Sequence, residues 1–258
     1  MRGPRRRWVV TGVVVVVLVA ALVVAWPSVR VYTGVAPPRQ FYEALDPALP
    51  PGHSGVLGVA HNAGNNPGTT DAALRSGADA IEIDVISARG QPVAGREQGW
   101  QWLAERLFRG PTLAEAWDDA ADAGIVKLDL QQNDRPLLDD VVAFVAPRSA
   151  SRRVMISTRD AAALLYLRPR LPEVTLLFSA AFPDAVKRLR SDAALIGAIG
   201  GVSAFQGLVD PALVTWAHQH GLLVLAWTVN DGERLRAIVG MGVDGVTTAN
   251  LAVLRALA

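Results

Sequence analysis

Cysteine is absent from this 258-residue chain, which excludes disulfides, thiolate catalysis and Cys-ligated zinc. Histidine is scarce at four residues, so imidazole chemistry has few candidates. The formal net charge is +1, and no Lys/Arg block lies downstream of the N-terminus. The electrostatic footprint of a nucleic-acid-binding protein is therefore missing. Aromatic residues make up 6% of the chain against a hydrophobic fraction of 51%. The apolar content comes partly from one N-terminal run and partly from Ala, Val and Leu spread throughout.

That run extends from Trp8 to Trp26 without a charged residue. As a helix it would reach ~28 Å, close to the ~30 Å hydrocarbon thickness of a bilayer. Arg2, Arg5, Arg6 and Arg7 precede it, and only Arg30 and Arg39 follow closely. The positive-inside bias then makes residues 1–7 a cytoplasmic N-terminus and residues 8–26 a transmembrane anchor. A cleaved signal peptide is the competing reading, although its apolar region is normally shorter, ~7–15 residues. Either way the remainder is exported, as a single-pass cell-membrane protein with its domain on the extracytoplasmic side, or secreted after cleavage. Residues 27–53 hold Pro27, Pro37, Pro38, Pro47, Pro50 and Pro51 and no sustained period, the composition of a linker. The folded domain is expected over 54–258.

From there apolar runs alternate with helical patterns. Strands are expected at 55–60, 80–85, 125–130, 154–157, 174–178, within 198–203, at 222–229 and at 245–248. Helices are expected at 69–76, 112–123, 137–145, 161–168, 182–189, 211–220, 233–241 and 251–257. Eight strand–helix units are the number that a closed (β/α)8 TIM barrel needs. An open doubly wound sheet is less favoured, because no Gly-x-Gly-x-x-Gly turn follows the first strand.

Strand parity decides which side chains face inward. Glu82 and Asp84 share one face of their strand, and Ile81, Ile83 and Val85 share the other. The apolar set must pack under helices, so the two acids point into the barrel. By the same rule Lys127, Asp129 and Gln131 face inward on the next strand. His61 follows the first strand directly, at the end where barrel active sites lie. His61, Glu82, Asp84 and Asp129 should therefore converge. Three carboxylates in one cavity repel one another unless a cation sits among them. Two readings fit: a hard oxygen-ligated ion such as Mg²⁺ or Ca²⁺, or an internal salt-bridge network closed by Lys127.

These residues resemble a known group. The stretch from Gly77 to Val85 looks like the Glu-x-Asp signature of the glycerophosphodiester phosphodiesterase superfamily. The segments Ala226–Asp231 and Gly242–Thr248 resemble its C-terminal signatures. His61 stands where the family has its first catalytic histidine, and Pro111-Thr112-Leu113 resembles the start of the helix after its second strand. The resemblance implies a barrel that hydrolyses phosphodiesters with a divalent ion held by Glu82 and Asp84. A further family glutamate maps onto Asp129. The related sphingomyelinase D group has an aspartate there, and an asparagine after its first histidine for which Asn65 is the nearest candidate.

Departures from the pattern are equally specific. The family arginine after the first histidine is Asn62, and the glutamate of its Pro-Glu-Asn-Thr motif falls at Gly68. The third-strand lysine is Gln131. The family's His-Asp pair, which carries the second histidine, is Arg96-Glu97. The other histidines are His53 in the linker and His218 and His220 on a barrel helix. Phosphodiester cleavage needs a base for the nucleophile and an acid for the leaving alkoxide, each worth ~10²–10⁴-fold. His61 fills one role, and Glu97 is the candidate for the other if it reaches the cavity. Arg96 and Lys127 are candidates for binding the phosphate, and Trp227 for stacking against a ligand. Trp100, Leu103 and Leu107, at helical spacing beside Trp102 and Phe108, read as a short lid or as packing on the barrel.

Two functions follow from these expectations. One is a membrane-anchored, metal-dependent phosphodiesterase acting on small-molecule or lipid phosphodiesters, namely glycerophosphodiesters or lysophospholipid head groups. The other is a catalytically silent barrel that binds a metal and a phosphate-bearing ligand without turnover.

Overall fold

The computed structural model describes residues 55–96, 108 and 110–258. The expected N-terminal basic stretch, anchor and linker lie outside these residues, as do Glu97, Trp100, Trp102, Leu103 and Leu107. Among the described residues, no helix is long and apolar enough to cross a membrane.

In chain order the elements are β1 (Leu57–Ala60), a 3₁₀ turn (Ala63–Asn65), α1 (Pro67–Arg75), β2 (Ala80–Ala88) and β3 (Gln91–Ala94). There follow α2 (Leu113–Asp119), β4 (Ile125–Leu130), α3 (Arg135–Val145), β5 (Arg153–Thr158) and α4 (Ala161–Leu167). Next come β6 (Thr175–Ala180), α5 (Pro183–Ser191), α6 (Ala193–Ala198), β7 (Gly201–Phe205) and α7 (Pro211–Gln219). The chain closes with β8 (Leu223–Trp227), α8 (Gly232–Gly240), β9 (Gly245–Thr248) and α9 (Leu251–Leu257). The parallel pairings run β1-β9-β8-β7-β6-β5-β4-β2, and β1 pairs with β2 as well. That last pairing closes the ring, so the eight-stranded parallel barrel expected from the sequence is present.

Two elements are added to the expected pattern. Strand β2 runs three residues further than its apolar alternation indicates, and β3 folds back on it antiparallel, pairing Val85 with Ala94 and Ala88 with Gln91. The link is Arg89-Gly90, both at positive φ (57° and 72°), the requirement of a two-residue hairpin turn. The second addition is α6, a short helix whose N-terminus is capped by Asp192 accepting from the Leu195 N–H. Helix α2 is also shorter than expected, ending at Asp119 rather than 123. Its start is secured by a capping box, with the Glu115 N–H on Thr112 Oγ1 and the Thr112 N–H on Glu115 Oε2.

The two faces of the strands build two separate apolar layers. Ile81, Ile83, Val85, Val126, Leu128 and Leu130 are buried in the large layer beneath the helices. Burying a side chain such as Ile83 contributes roughly 1.5–3 kcal/mol. Inside the barrel, Val59, Ala80, Ile125, Met155, Leu177 and Leu225 form a distinct plug. The inward positions of β1, β2 and β4 nearest the C-terminal ends are left to polar groups.

Candidate metal centre

The register of β2 against β4 brings the acids together. Glu82 lies opposite Lys127, and Asp84 lies opposite Asp129. One oxygen from each of Glu82, Asp84 and Asp129 lies within 4.8 Å of the others. Glu82 is 4% exposed and Asp84 is fully buried, so water does little to screen their mutual repulsion.

The partners of these oxygens define what the cluster lacks. Lys127 Nζ sits 3.0 Å from Glu82 Oε1, with both side chains buried. Asp84 Oδ2 accepts from Asn65 Nδ2 at 2.9 Å, and Asn65 Oδ1 accepts in turn from the Asp84 N–H at 2.9 Å. Gln131 Nε2 donates to Asp84 Oδ1 at 3.0 Å and to Asp129 Oδ2 at 2.5 Å. Ser157 Oγ donates to Asp129 Oδ1 at 2.5 Å. Glu82 Oε2 remains buried without a hydrogen-bond partner among the described residues. A buried carboxylate oxygen left unpaired is costly in a native protein and marks a missing cation or donor.

The electrostatics point the same way. Burial, then Asp129, then Glu82 push the Asp84 carboxyl well above its ordinary range, against Arg96 and Asn65. Burial lowers the pKa of Lys127, but Glu82, Asp129 and Asp84 outweigh it and hold the ammonium charged. One ammonium offsets one of three carboxylates, and a divalent ion would offset the other two. The all-oxygen donor set fits Mg²⁺ or Ca²⁺ and suits zinc poorly. Of the two readings left open by the sequence, the ion pair of Lys127 with Glu82 is present, and the clustered oxygens have the spacing to hold a cation as well.

His61 follows β1 and is half-buried, its N–H on the Thr248 carbonyl at 2.8 Å. Burial lowers its pKa, Glu82 pulls it back up, and Arg96 and Lys127 press it down again, so the net direction is down. Arg96, exposed at the end of β3, lies within electrostatic reach of both His61 and Asp84. Trp227 ends β8, opposite Phe205 on β7. The remaining described histidines are remote, His218 pairing at 2.9 Å with Asp244 before the start of β9. Phe108, from the segment read as a lid, is buried in a small cluster with Ile86, Ala88 and Val93 against the β2–β3 hairpin.

Three contributors are not among the candidates named from the sequence for the site itself. Ser157 was findable by parity, since β5 places it opposite Asp129. Gln131 reads from the sequence as a lost lysine, yet it bridges two of the acids. Gly64 matters through what it lacks. A Cβ there would stand 2.3 Å from Ile83 Cγ1, so only glycine lets the 63–65 turn settle on β2 and deliver Asn65 to Asp84.

With the barrel, the inward acids and the histidine in place, the comparisons with known proteins decide the family. Residues 106–253, more than half of the chain, match the family model described as the glycerophosphoryl diester phosphodiesterase family. The chain belongs to the glycerophosphoryl diester phosphodiesterase family. No curated protein sequence matches it. Among solved structures it resembles a phosphodiesterase from Oleispira antarctica in complex with the product sn-glycerol-3-phosphate, with 20% identity, a TM-score of 0.64, and coverage of 78% of this chain and 96% of that one. It also resembles a glycerophosphodiester phosphodiesterase from Parabacteroides distasonis at 18% identity and TM-score 0.62, covering 77% and 94%. A calcium-dependent phosphoinositol-specific phospholipase C from Pseudomonas sp. shares the barrel at 9% identity and TM-score 0.57, covering 79% and 90%. At these identities the structural likeness speaks for the fold. Membership of the glycerophosphoryl diester phosphodiesterase family places this chain among phosphoric diester hydrolases, and Glu82, Asp84 and Asp129 are the group that could hold a metal ion.

Proposed function

We propose that this chain is a membrane-anchored, extracytoplasmic phosphodiesterase that needs Mg²⁺ or Ca²⁺ and acts on glycerophosphodiesters or lysophospholipid head groups. The observation that carries this reading is the buried triad Glu82–Asp84–Asp129 with one carboxylate oxygen left unpartnered. The anchor rests on the uncharged run 8–26 and the arginines before it.

When bound, the ion would supply charge stabilisation for the phosphoryl oxygens. The protein's own groups do the rest. Glu82, Asp84 and Asp129 would hold it, with Asn65, Gln131 and Ser157 fixing how two of them present their oxygens. His61, whose burial favours the uncharged ring, can accept the nucleophile's proton, and the resulting imidazolium can return one to the leaving oxygen. Glu97 is the proposed second proton-handling group. Arg96 balances phosphoryl charge without shuttling protons, and the Lys127 ammonium, paired with Glu82, reinforces the field from within.

A second reading is favoured by one observation: Arg96 stands where the family carries its second histidine. On that reading the chain binds a metal and a phosphate-bearing ligand without turnover. Assays of the full-length protein with glycerophosphocholine and lysophosphatidylcholine, with and without each ion, separate the two. Metal-dependent hydrolysis above that of Asp84→Asn supports the enzyme. Metal binding with hydrolysis no greater than in Asp84→Asn supports the silent barrel.

A further inference from the structure

The mouth of the barrel is chemically two-sided. Ionic and imidazole groups occupy β1, β2 and β4. The inward positions toward the C-terminal ends of β5, β6, β7 and β9 are Ser157, Ser179, Ser203 and Thr247, small and uncharged, and alternation on β7 and β8 then places Phe205 and Trp227 at the rim. Three large hydrophobic side chains stand out to solvent among the described residues: Leu165, Phe182 at 69% and Phe205 at 42%. Two of these, Phe182 and Phe205, follow or end adjacent strands at this same face. Aromatics exposed at the ends of neighbouring strands on a barrel's functional face differ from a scattered surface residue such as Leu165 on α4.

The edge is held in place. Phe205 packs against Trp227 edge-on, with centroids 5.7 Å apart. The Trp227 indole N–H is spent on the Ser203 carbonyl at 2.9 Å, so the ring offers the mouth its apolar surface and no donor. Gln206, next after Phe205, donates to the Thr228 carbonyl at 2.7 Å and accepts from Arg234 Nε at 3.0 Å. These bonds tie the end of β7 to β8 and α8. A rigid aromatic edge loses little entropy on binding an apolar group.

We infer that Phe182, Phe205 and Trp227 form a subsite for the hydrocarbon arm of a single-chain phosphodiester whose phosphate lies at the acidic wall. The inference rests on the proposed function only in taking the acidic wall as the phosphate end. A phosphodiester with two polar arms would leave these aromatics in water, whereas an amphiphile matches both sides of the mouth at once.

The test uses the full-length protein and alkyl phosphocholines from methyl to hexyl, short enough to stay monomeric, titrated at saturating Ca²⁺ or Mg²⁺. Affinity should rise about fourfold for each methylene that enters the subsite, and hexyl should bind at least ~10-fold tighter than methyl. Phe182→Ser and Phe205→Ser should collapse the hexyl-to-methyl ratio, and Leu165→Ser should leave it at the wild-type value. A ratio near one in the wild type overturns the subsite, as does a ratio that survives both Phe substitutions, which would signal partition into a bilayer or another surface. Where a ligand is hydrolysed, the chain-length slope is read in His61→Gln, in which turnover is slowed, so the two readings fail separately. Hydrolysis without a chain-length slope removes the subsite and keeps the enzyme. A slope without hydrolysis keeps the subsite and removes the enzyme.

Discussion

The wall formed by β1, β2 and β4 and the wall formed by β5 to β9 share one barrel geometry and meet opposite demands. On the first, burial is imposed on groups that resist it: Glu82, Asp84 and Lys127 are almost entirely removed from water. Their cost is offset by an ion pair, by amide and hydroxyl donors, and, on our proposal, by a cation. On the second wall, the hydroxyls of Ser157, Ser179, Ser203 and Thr247 sit at comparable depth without any charge to neutralise, and the aromatics stand at the exposed rim. The difference shows that strand parity alone does not make a site. Parity selects which residues face inward, and the site arises where those residues cannot satisfy one another.

That contrast can be broken from the acidic side first. Replacing His61 with Gln should lower turnover by ~10²–10⁴-fold while metal affinity changes little, because His61 is not one of the clustered acids. Steady-state kinetics paired with titration calorimetry would check both parts. Removing Glu82 as Ala strands the buried Lys127 ammonium and should cost about 3–5 kcal/mol of stability. Adding Lys127→Met to it should restore most of that stability without restoring metal binding, which thermal melts and calorimetry can follow.

Gln131 sharpens the comparison further, since it bridges the acids with a neutral donor. Gln131→Lys would place a cation between Asp84 and Asp129. Divalent-ion affinity should fall at least ~10-fold while the metal-free protein melts at a higher temperature. Unchanged affinity would mean that the added ammonium does not compete with the ion.

The smallest expected effect is the pH dependence of metal affinity, which follows from the raised Asp84 pKa. The fold favours the protonated carboxyl, so its contribution to metal-free stability is present below the ordinary carboxylate range and is lost as pH rises through the raised value. An ion displaces that proton. Affinity should therefore weaken as pH falls through the same value, by up to ~10-fold per unit for one proton displaced. Calorimetry in buffers of differing ionisation heat would count the proton, and Asp84→Asn should abolish both trends.

Much of this architecture was legible in the sequence, and the reasons differ by element. The inward acids could be assigned because Ile81, Ile83 and Val85 leave Glu82 and Asp84 no other face. Closure into eight parallel strands followed from the alternation of runs. The β2–β3 hairpin was not legible, because Arg89-Gly90 is a poorer turn signal than Asn-Gly and the strand beyond it is only four residues long. Helix α6 was hidden because Asp192 both ends α5 and caps the next helix. Asn65 was reached through family resemblance, and its reciprocal bond with Asp84 depends on a glycine contact that no periodicity announces. Glu97 and the anchor fall outside the described residues, so they stand as proposals.

The central claim is that the triad is a divalent-metal centre, and calorimetric titration of the full-length protein with Ca²⁺ and with Mg²⁺ tests it most directly. The account predicts one saturable site for at least one ion, lost in Asp84→Asn although that variant is at least as thermally stable as the metal-free wild type. Binding heats that are indistinguishable between Asp84→Asn and wild type, or absent from both for either ion, would contradict it.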